Sequence, residues 1–222
     1  MLRQALSPRS ESNRQNISLF LRTLCLIVVH FMFIAAGAAQ GSVELAVNTL
    51  LMQLFTMFSY FMDGFAYAGE ALIGKAVGAC NRDSYHAVVR RLFMWGGVVA
   101  LFFVALYAVG GNAFMSLLTD DSAVLETLSH YRLWTLLLPL CGVASFLWDG
   151  IYIGATATRL MLLSMAISMC LFLVGYFFLI PHWGNHALWL SFLSYLACRG
   201  MVQTCTRAKI LPQTLGSIKQ NR

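Results

Sequence analysis

The chain has 222 residues, of which 59% are hydrophobic and 11% charged, and its mean hydropathy is +0.71. A soluble domain carries about 25% charged residues, so this composition excludes water as the main solvent and points to lipid. The net charge of +6 does not indicate nucleic acid, because the basic residues border apolar segments instead of forming a patch of their own.

Residues 1–16, MLRQALSPRSESNRQN, are polar and basic, and no short apolar core with a small-residue cleavage site follows. They read as a cytosolic, disordered lead-in. A spanning helix needs about 20 mostly apolar residues. Six segments meet that need, at about 17–40, 43–68, 88–110, 131–155, 160–180 and 187–205. They predict an all-α, polytopic membrane protein, with a six-helix unit over 17–206 and a basic cytosolic tail over 207–222. QGSVE joins the first two segments, and PHWGNH joins the last two, where His182 and Trp183 suit headgroup depth. GEALIGKAVGACNRDSYHAVVRR, between the second and third, reads as helix, a turn at 81–83, and helix. In GNAFMSLLTDDSAVLETLSHYR, the cluster Asp120, Asp121 and Ser122 caps a short amphipathic helix ahead of the fourth segment. Within that segment Pro139 removes one backbone donor and is expected to kink the helix.

Lys and Arg set the orientation. Arg3, Arg9, Arg14 and Arg22 precede or open the first segment, and Lys75, Arg82, Arg90 and Arg91 lie between the second and third. Arg159 follows the fourth, and Arg199, Arg207, Lys209, Lys219 and Arg222 close the sixth. All of these fall on one side, and Arg132 alone falls on the other. Positive charge stays in the cytosol, so both termini are expected there, with the chain multi-pass in the inner membrane and the bilayer as its first partner.

An ionised side chain at mid-membrane costs roughly 2.5–3.5 kcal/mol on insertion scales. Asp149 is the deepest such group, Asp63 lies in the cytosolic half of the second segment, Glu70 follows one heptad later, and His30 sits midway along the first. Thr56, Ser59, Asp63, Tyr67 and Glu70 recur at three or four and share a helix face, and Ser145, Asp149, Tyr152 and Thr156 form a second stripe. Lipid penalises both stripes, so they are expected to face each other or a water-filled cavity. MDGFAYAG and WDGIYIGA share Asp-Gly followed by an aromatic or apolar pair, and Gly74/Gly78 and Gly150/Gly154 repeat a spacing that allows close helix approach. Each feature also has a purely structural explanation: an acid bonded to a neighbouring Tyr or Ser, a solvated end charge at Glu70, a packed ring at His30. The chemical explanation of Asp149 is that burial destabilises its anion, so the carboxyl takes up and releases a proton, or pairs with a cationic ligand.

The six cysteines show neither a CxxC pair nor Cys/His spacing for zinc and read as small apolar side chains, with no metal site. No HExxH, GxSxG or phosphate-binding loop is present. An intramembrane aspartyl protease would need a GxGD-like stretch, whereas here each glycine follows its Asp. No enzyme is expected.

The runs NTLLMQLFTMFSYFMDGFAYAGEALIGKAVGA (48–79), LPLCGVASFLWDGIYIGATATRLM (138–161) and GNHALWLSFLSYLACRG (184–200) resemble the eighth, tenth and twelfth helices of the MATE (multidrug and toxic compound extrusion) transporters, nearest the DNA-damage-inducible F (DinF) subgroup. The similarity extends over nearly all of 17–206. It implies one lobe, the second, of a two-lobe bundle, with the Arg-rich start matching the cytosolic linker between lobes. It also implies an antiporter that exports organic, often cationic, compounds in exchange for a proton or sodium ion, without a cofactor. Asp149 and Asp63 would then be the proton- or cation-binding residues. Tyr67, Tyr152, Ser145, Thr56 and Ser59 would line the cargo cavity, with Glu70 and His30 as accessories. The first lobe carries a principal proton-linked aspartate in this subgroup, so function is expected to need a first-lobe partner chain or a homodimer. The alternative is a truncated, inactive half-transporter.

Overall fold

The computed structural model describes residues 8–210; residues 1–7 of the expected lead-in (1–16) and 211–222 of the expected tail (207–222) lie outside them. Seven helices follow in order: α1 Pro8–Gln40, α2 Ser42–Gly78, α3 Arg82–Leu118, α4 Ser122–His130, α5 Arg132–Gly154, α6 Thr158–Phe178 and α7 Ile180–Thr206, closed by a 3₁₀ turn at Arg207–Lys209. No strand occurs among the described residues. Residues 8–16, expected to be disordered, instead continue α1.

Five helices (α1, α2, α3, α5 and α6) are long and apolar enough to cross a membrane. The sixth expected span, inside α7, has the length but not the apolar content, because Asn185, Ser191, Arg199 and Gln203 lie buried along it. The same helix reaches back across PHWGNH, which was expected to be a loop. Its backbone leaves helical geometry only at Gly184, whose φ of 54° suits a residue without Cβ.

α5 is the central element. It packs on α2, α7 and α3, while α6 lies along α7 and α1. The outward faces are apolar: Phe20, Leu24, Ile27 and Phe31 on α1, Leu101 and Phe102 on α3, Phe177 and Phe178 on α6 are all exposed. This inverted pattern is what lipid as solvent requires. The α5–α2 seam depends on Gly150 and Gly154. A Cβ at Gly150 would lie 2.2 Å from the carbonyl oxygen of Ala66, and one at Gly154 would lie 2.4 Å from that of Glu70. Two glycines a turn apart therefore let the backbones touch. The Gly74/Gly78 pair does not do this, since nothing lies within 4 Å of a Cβ at Gly78.

The cap expected at Asp121 forms, its carboxylate accepting from the Ala123 N–H at 2.9 Å. α5 continues as one helix through Pro139. α2 and α5 end alike. Cys80 (φ 52°) and Thr156 (φ 55°) adopt left-handed backbone, and the next N–H groups, Asn81 and Ala157, bond back to Ala76 and Tyr152. These are Schellman closures with a non-glycine residue where glycine is usual. At the other end of the bundle, Asn48 and Asn185 exchange two hydrogen bonds of 2.7 and 2.9 Å, and Trp189 Nε1 donates to Asn48 Oδ1 at 2.8 Å. This buried clamp ties α2 to α7.

Gly150→Ala is expected to destabilise the bundle by about 1–3 kcal/mol through overpacking against Ala66, read as a lower thermal midpoint in nanodiscs; Gly78→Ala should leave the midpoint unchanged. Asn48→Leu strands the Asn185 and Trp189 donors and is expected to cost about 1–3 kcal/mol by the same measurement.

Candidate functional site

α1, α2, α5 and α7 enclose a cavity of about 330 Å³. One part of its wall is aromatic, with His30 from α1, Phe55 from α2, Phe146 from α5, and Phe192 and Tyr195 from α7. The rest is charged: Arg22, Asp63, Glu70, Asp149 and Arg199.

Asp149 is only 5% exposed, and each of its oxygens has a partner. Oδ2 accepts a very close contact from Arg22 Nη2, with Arg199 Nη2 at 3.4 Å. Oδ1 accepts from Gln203 Nε2 at 2.7 Å. Burying a carboxylate is tolerated when its charge and lone pairs are matched this fully. Arg199 is built into the floor. Its side chain is 3% exposed, Nη1 donates to the Tyr195 hydroxyl at 3.3 Å, and Nη2 donates to Ser145 Oγ at 3.1 Å. Its guanidinium also lies 5.7 and 5.8 Å from the Phe146 and Tyr195 ring centres, within cation–π range. Arg22 is held less firmly. Its side chain is 20% exposed, and Asp149 is its one ion-pair partner among the described residues. α1 packs mainly on α6 and α2, and Arg22 is the residue through which it bonds to Asp149 on α5. Arg22 Nε, Arg199 Nε and Gln203 Oε1 are buried without a hydrogen bond.

Six of the expected site residues share the cavity wall: His30, Ser59, Asp63, Tyr67, Glu70 and Asp149. His30 packs between the rings of Phe55 and Phe192, each centroid 6.5 Å away. Tyr67 stands at the rim, 71% exposed. Asp63 is half-buried and, among the described residues, makes neither a hydrogen bond nor an ion pair. Three residues expected in the cavity do not line it. Thr56 Oγ1 returns to its own helix, donating to Met52 O at 2.8 Å. Tyr152 is fully buried, its hydroxyl between Gln203 O (2.7 Å) and Thr206 Oγ1 (2.6 Å). Ser145 lies beneath the floor and supports Arg199.

Arg22 and Arg199 are a second correction. Both were placed at the membrane border, and both lie inside. The signal was in the sequence, since ISLFLRTLCL and LACRGMV flank each arginine with apolar residues on both sides. Tyr195, Arg199 and Gln203, spaced at four, also form a polar stripe on α7. The other described Lys and Arg (Arg14, Lys75, Arg82, Arg90, Arg91, Arg132, Arg159, Arg207 and Lys209) are exposed, as border charges should be. The six cysteines are unbridged.

The site thus contains a buried ion-pair cluster beside an open cavity with aromatic walls. It is a binding arrangement, with no side chain set up as an activated nucleophile.

Comparison with known proteins agrees. Residues 17–178 match the family model described as MatE. The chain is 39% identical over 186 residues to DNA damage-inducible protein F of Escherichia coli (strain K12), covering 84% of this chain and 40% of that protein. It is 24% identical over 191 residues to Protein DETOXIFICATION 42 of Arabidopsis thaliana, covering 82% of this chain and 36% of that one. Protein DETOXIFICATION 44, chloroplastic, from the same plant is 23% identical over 180 residues, covering 80% and 34%. No solved structure matches. The chain spans less than half the length of these curated relatives. Members of the family are membrane transporters, not enzymes. By the family match and its 39% identity to the E. coli protein, this chain belongs to the MATE family, as a DinF-like member.

Proposed function

We propose that this chain forms a six-helix lobe of an efflux antiporter in the inner membrane, with both termini cytosolic. In this reading it exports organic, often cationic, compounds in exchange for a proton or sodium ion. The family membership supports the reading, as does the name of two relatives, DETOXIFICATION. The observation that carries it is the Arg22–Asp149 pair beside the cavity.

The pair is a bond with a competitor. A proton on Asp149 cancels the charge that holds two guanidiniums in place, and an entering cation competes with Arg22 for the same oxygen. Either event frees Arg22, the more exposed and less anchored of the two arginines. α1 then loses its polar tie to α5. A ligand shifts such an equilibrium only as far as it binds the two states differently, and competition for one carboxylate provides that difference. Asp63, without a partner of its own, is the second proton- or cation-binding group. Ser59 and Tyr67 contribute hydroxyls to the wall, while Tyr152, Ser145 and Thr56 support the helices that form it.

Transport by rocking two lobes about a central cavity needs a second set of helices. We place these in the remainder of a longer polypeptide, in a partner chain or in a second copy. A chain that moves nothing without a first lobe is the second reading, favoured by the 40% of the E. coli relative that it covers.

Asp149→Asn, introduced into a transport-competent assembly, is expected to abolish drug resistance while the protein still accumulates in the membrane; unchanged resistance would remove Asp149 from the mechanism. Dye efflux from vesicles carrying the chain with and without a co-expressed first lobe is expected only when both are present; efflux from the chain alone would remove the second reading and place the missing helices in a second copy.

A further inference from the structure

The cavity is lined from residue 55 onward on α2, 146 onward on α5 and 192 onward on α7. The opposite end of the bundle is closed by contacts that the proposed function does not use. There the asparagine clamp binds α7 to α2. One residue further along α7, His186 binds it to α5, where Trp134 Nε1 donates to His186 Nδ1 at 3.0 Å. The other side-chain hydrogen bonds between α5 and α7 among the described residues involve Ser145, Trp148, Asp149 and Tyr152, all in the second half of α5. The Trp134–His186 bond is therefore the one that joins the two helices at the end where both begin. The Tyr131 ring lies against the same imidazole, with centroids 4.6 Å apart and planes tilted by 31°. Tyr131 is buried, and His186 is exposed.

This bond dictates a protonation state. An indole N–H only donates, so the imidazole nitrogen that meets it must carry a lone pair. His186 is neutral in this arrangement, with its proton on Nε2. Histidine changes charge between about pH 5 and 8, and an exposed ring exchanges protons with the surrounding water. A proton on Nδ1 would set two donors against each other. The bond is then lost, and the imidazolium keeps only the face of Tyr131, which attracts a cation. The bonded arrangement holds one proton fewer than the released one, so the contact is complete at high pH and is lost as the pH falls. The other charged and titratable groups on the neighbouring elements are His182 on α7, Glu126 and His130 on α4, Arg132 on α5 and Glu44 in the first turn of α2. None makes a salt bridge with His186 among the described residues, so no acid replaces the indole as its partner.

We propose that His186 and Trp134 form a pH-sensitive latch at the end of the lobe opposite the cavity. Neutral His186 holds α7 to α5, and protonation releases it. Asparagine does not titrate, so the Asn48–Asn185 clamp beside the latch closes this end at every pH, and the histidine sets how firmly it is closed. The inference goes beyond the proposed function. Asp149 answers to ions inside the cavity, whereas His186 answers to the medium at the far end, which is the outer medium when both termini are cytosolic.

The test follows the Trp134 indole N–H by nitrogen–proton NMR of the full chain, labelled at tryptophan and held in lipid nanodiscs, between about pH 8 and 5. Trp134→Phe assigns the signal. It is expected to titrate in the unsubstituted chain and to stay in place in His186→Asn, whose Oδ1 stands near the position of Nδ1 and accepts at every pH. Hydrogen exchange reads the release. After correction for the intrinsic effect of pH on exchange, amides in the first turns of α5 and around His186 are expected to exchange roughly fivefold faster at the acid end, as the loss of one hydrogen bond implies. His186→Asn should exchange slowly at both ends of the range, and His186→Lys rapidly at both. The proposal is overturned if the indole signal does not move, if it moves equally in His186→Asn, or if it moves while exchange stays level. A flat Trp134 titration leaves the role of Asp149 standing, and a failed Asp149→Asn resistance test leaves the latch standing.

Discussion

One carboxylate organises this molecule. Asp149 sits on the central helix, inside a bundle whose outer face is dressed for lipid, and its charge is met by Arg22 from α1, Arg199 from α7 and the amide of Gln203. An isolated anion at that depth would be protonated or would destabilise the fold. The two guanidiniums remove that penalty and, in doing so, bind three helices to one point. Arg199 is in turn supported by Ser145, Tyr195 and the face of Phe146. The cluster is therefore a built network with one loose member, Arg22.

The rest of the fold keeps that network in place. Gly150 and Gly154 bring α2 against α5 just after Asp149 in the chain, and Asp63 and Glu70 line the same cavity from α2. The asparagine clamp fixes α2 to α7 at the other end. With α2, α5 and α7 tied to one another, α1 is the cavity-lining helix with the weakest hold on the centre, and Arg22 is its polar contact there. In the proposed mechanism this contrast makes α1 the element that moves while the other three stay packed.

Much of this was legible in the sequence. Apolar length gave the five clear spans, the Asp121 cap gave α4, and helical spacing placed Asp63, Tyr67 and Glu70 on one face. Helical spacing says which residues share a face, and it does not say which face meets which neighbour. For that reason Tyr152 and Ser145, in register with Asp149, ended in the α5–α7 interface and beneath the floor instead of on the cavity wall. Asp149 has its cationic partners 127 residues before it and 50 residues after it, so no local pattern could pair them. Arg22 and Arg199 were hidden by a rule that assigns arginine near a helix end to the membrane border. The rule holds for the exposed arginines and fails for these two, because an acid inside the bundle offers a better partner than water.

The most direct measurement is a double-mutant cycle on Arg22 and Asp149, comparing Arg22→Gln, Asp149→Asn and the pair by thermal unfolding in nanodiscs. The account predicts that the double variant loses less stability than the two single losses added together, with a coupling above about 1 kcal/mol. Additive losses would mean that the two side chains do not depend on each other, and the exchangeable ion pair at the centre of this account would not exist.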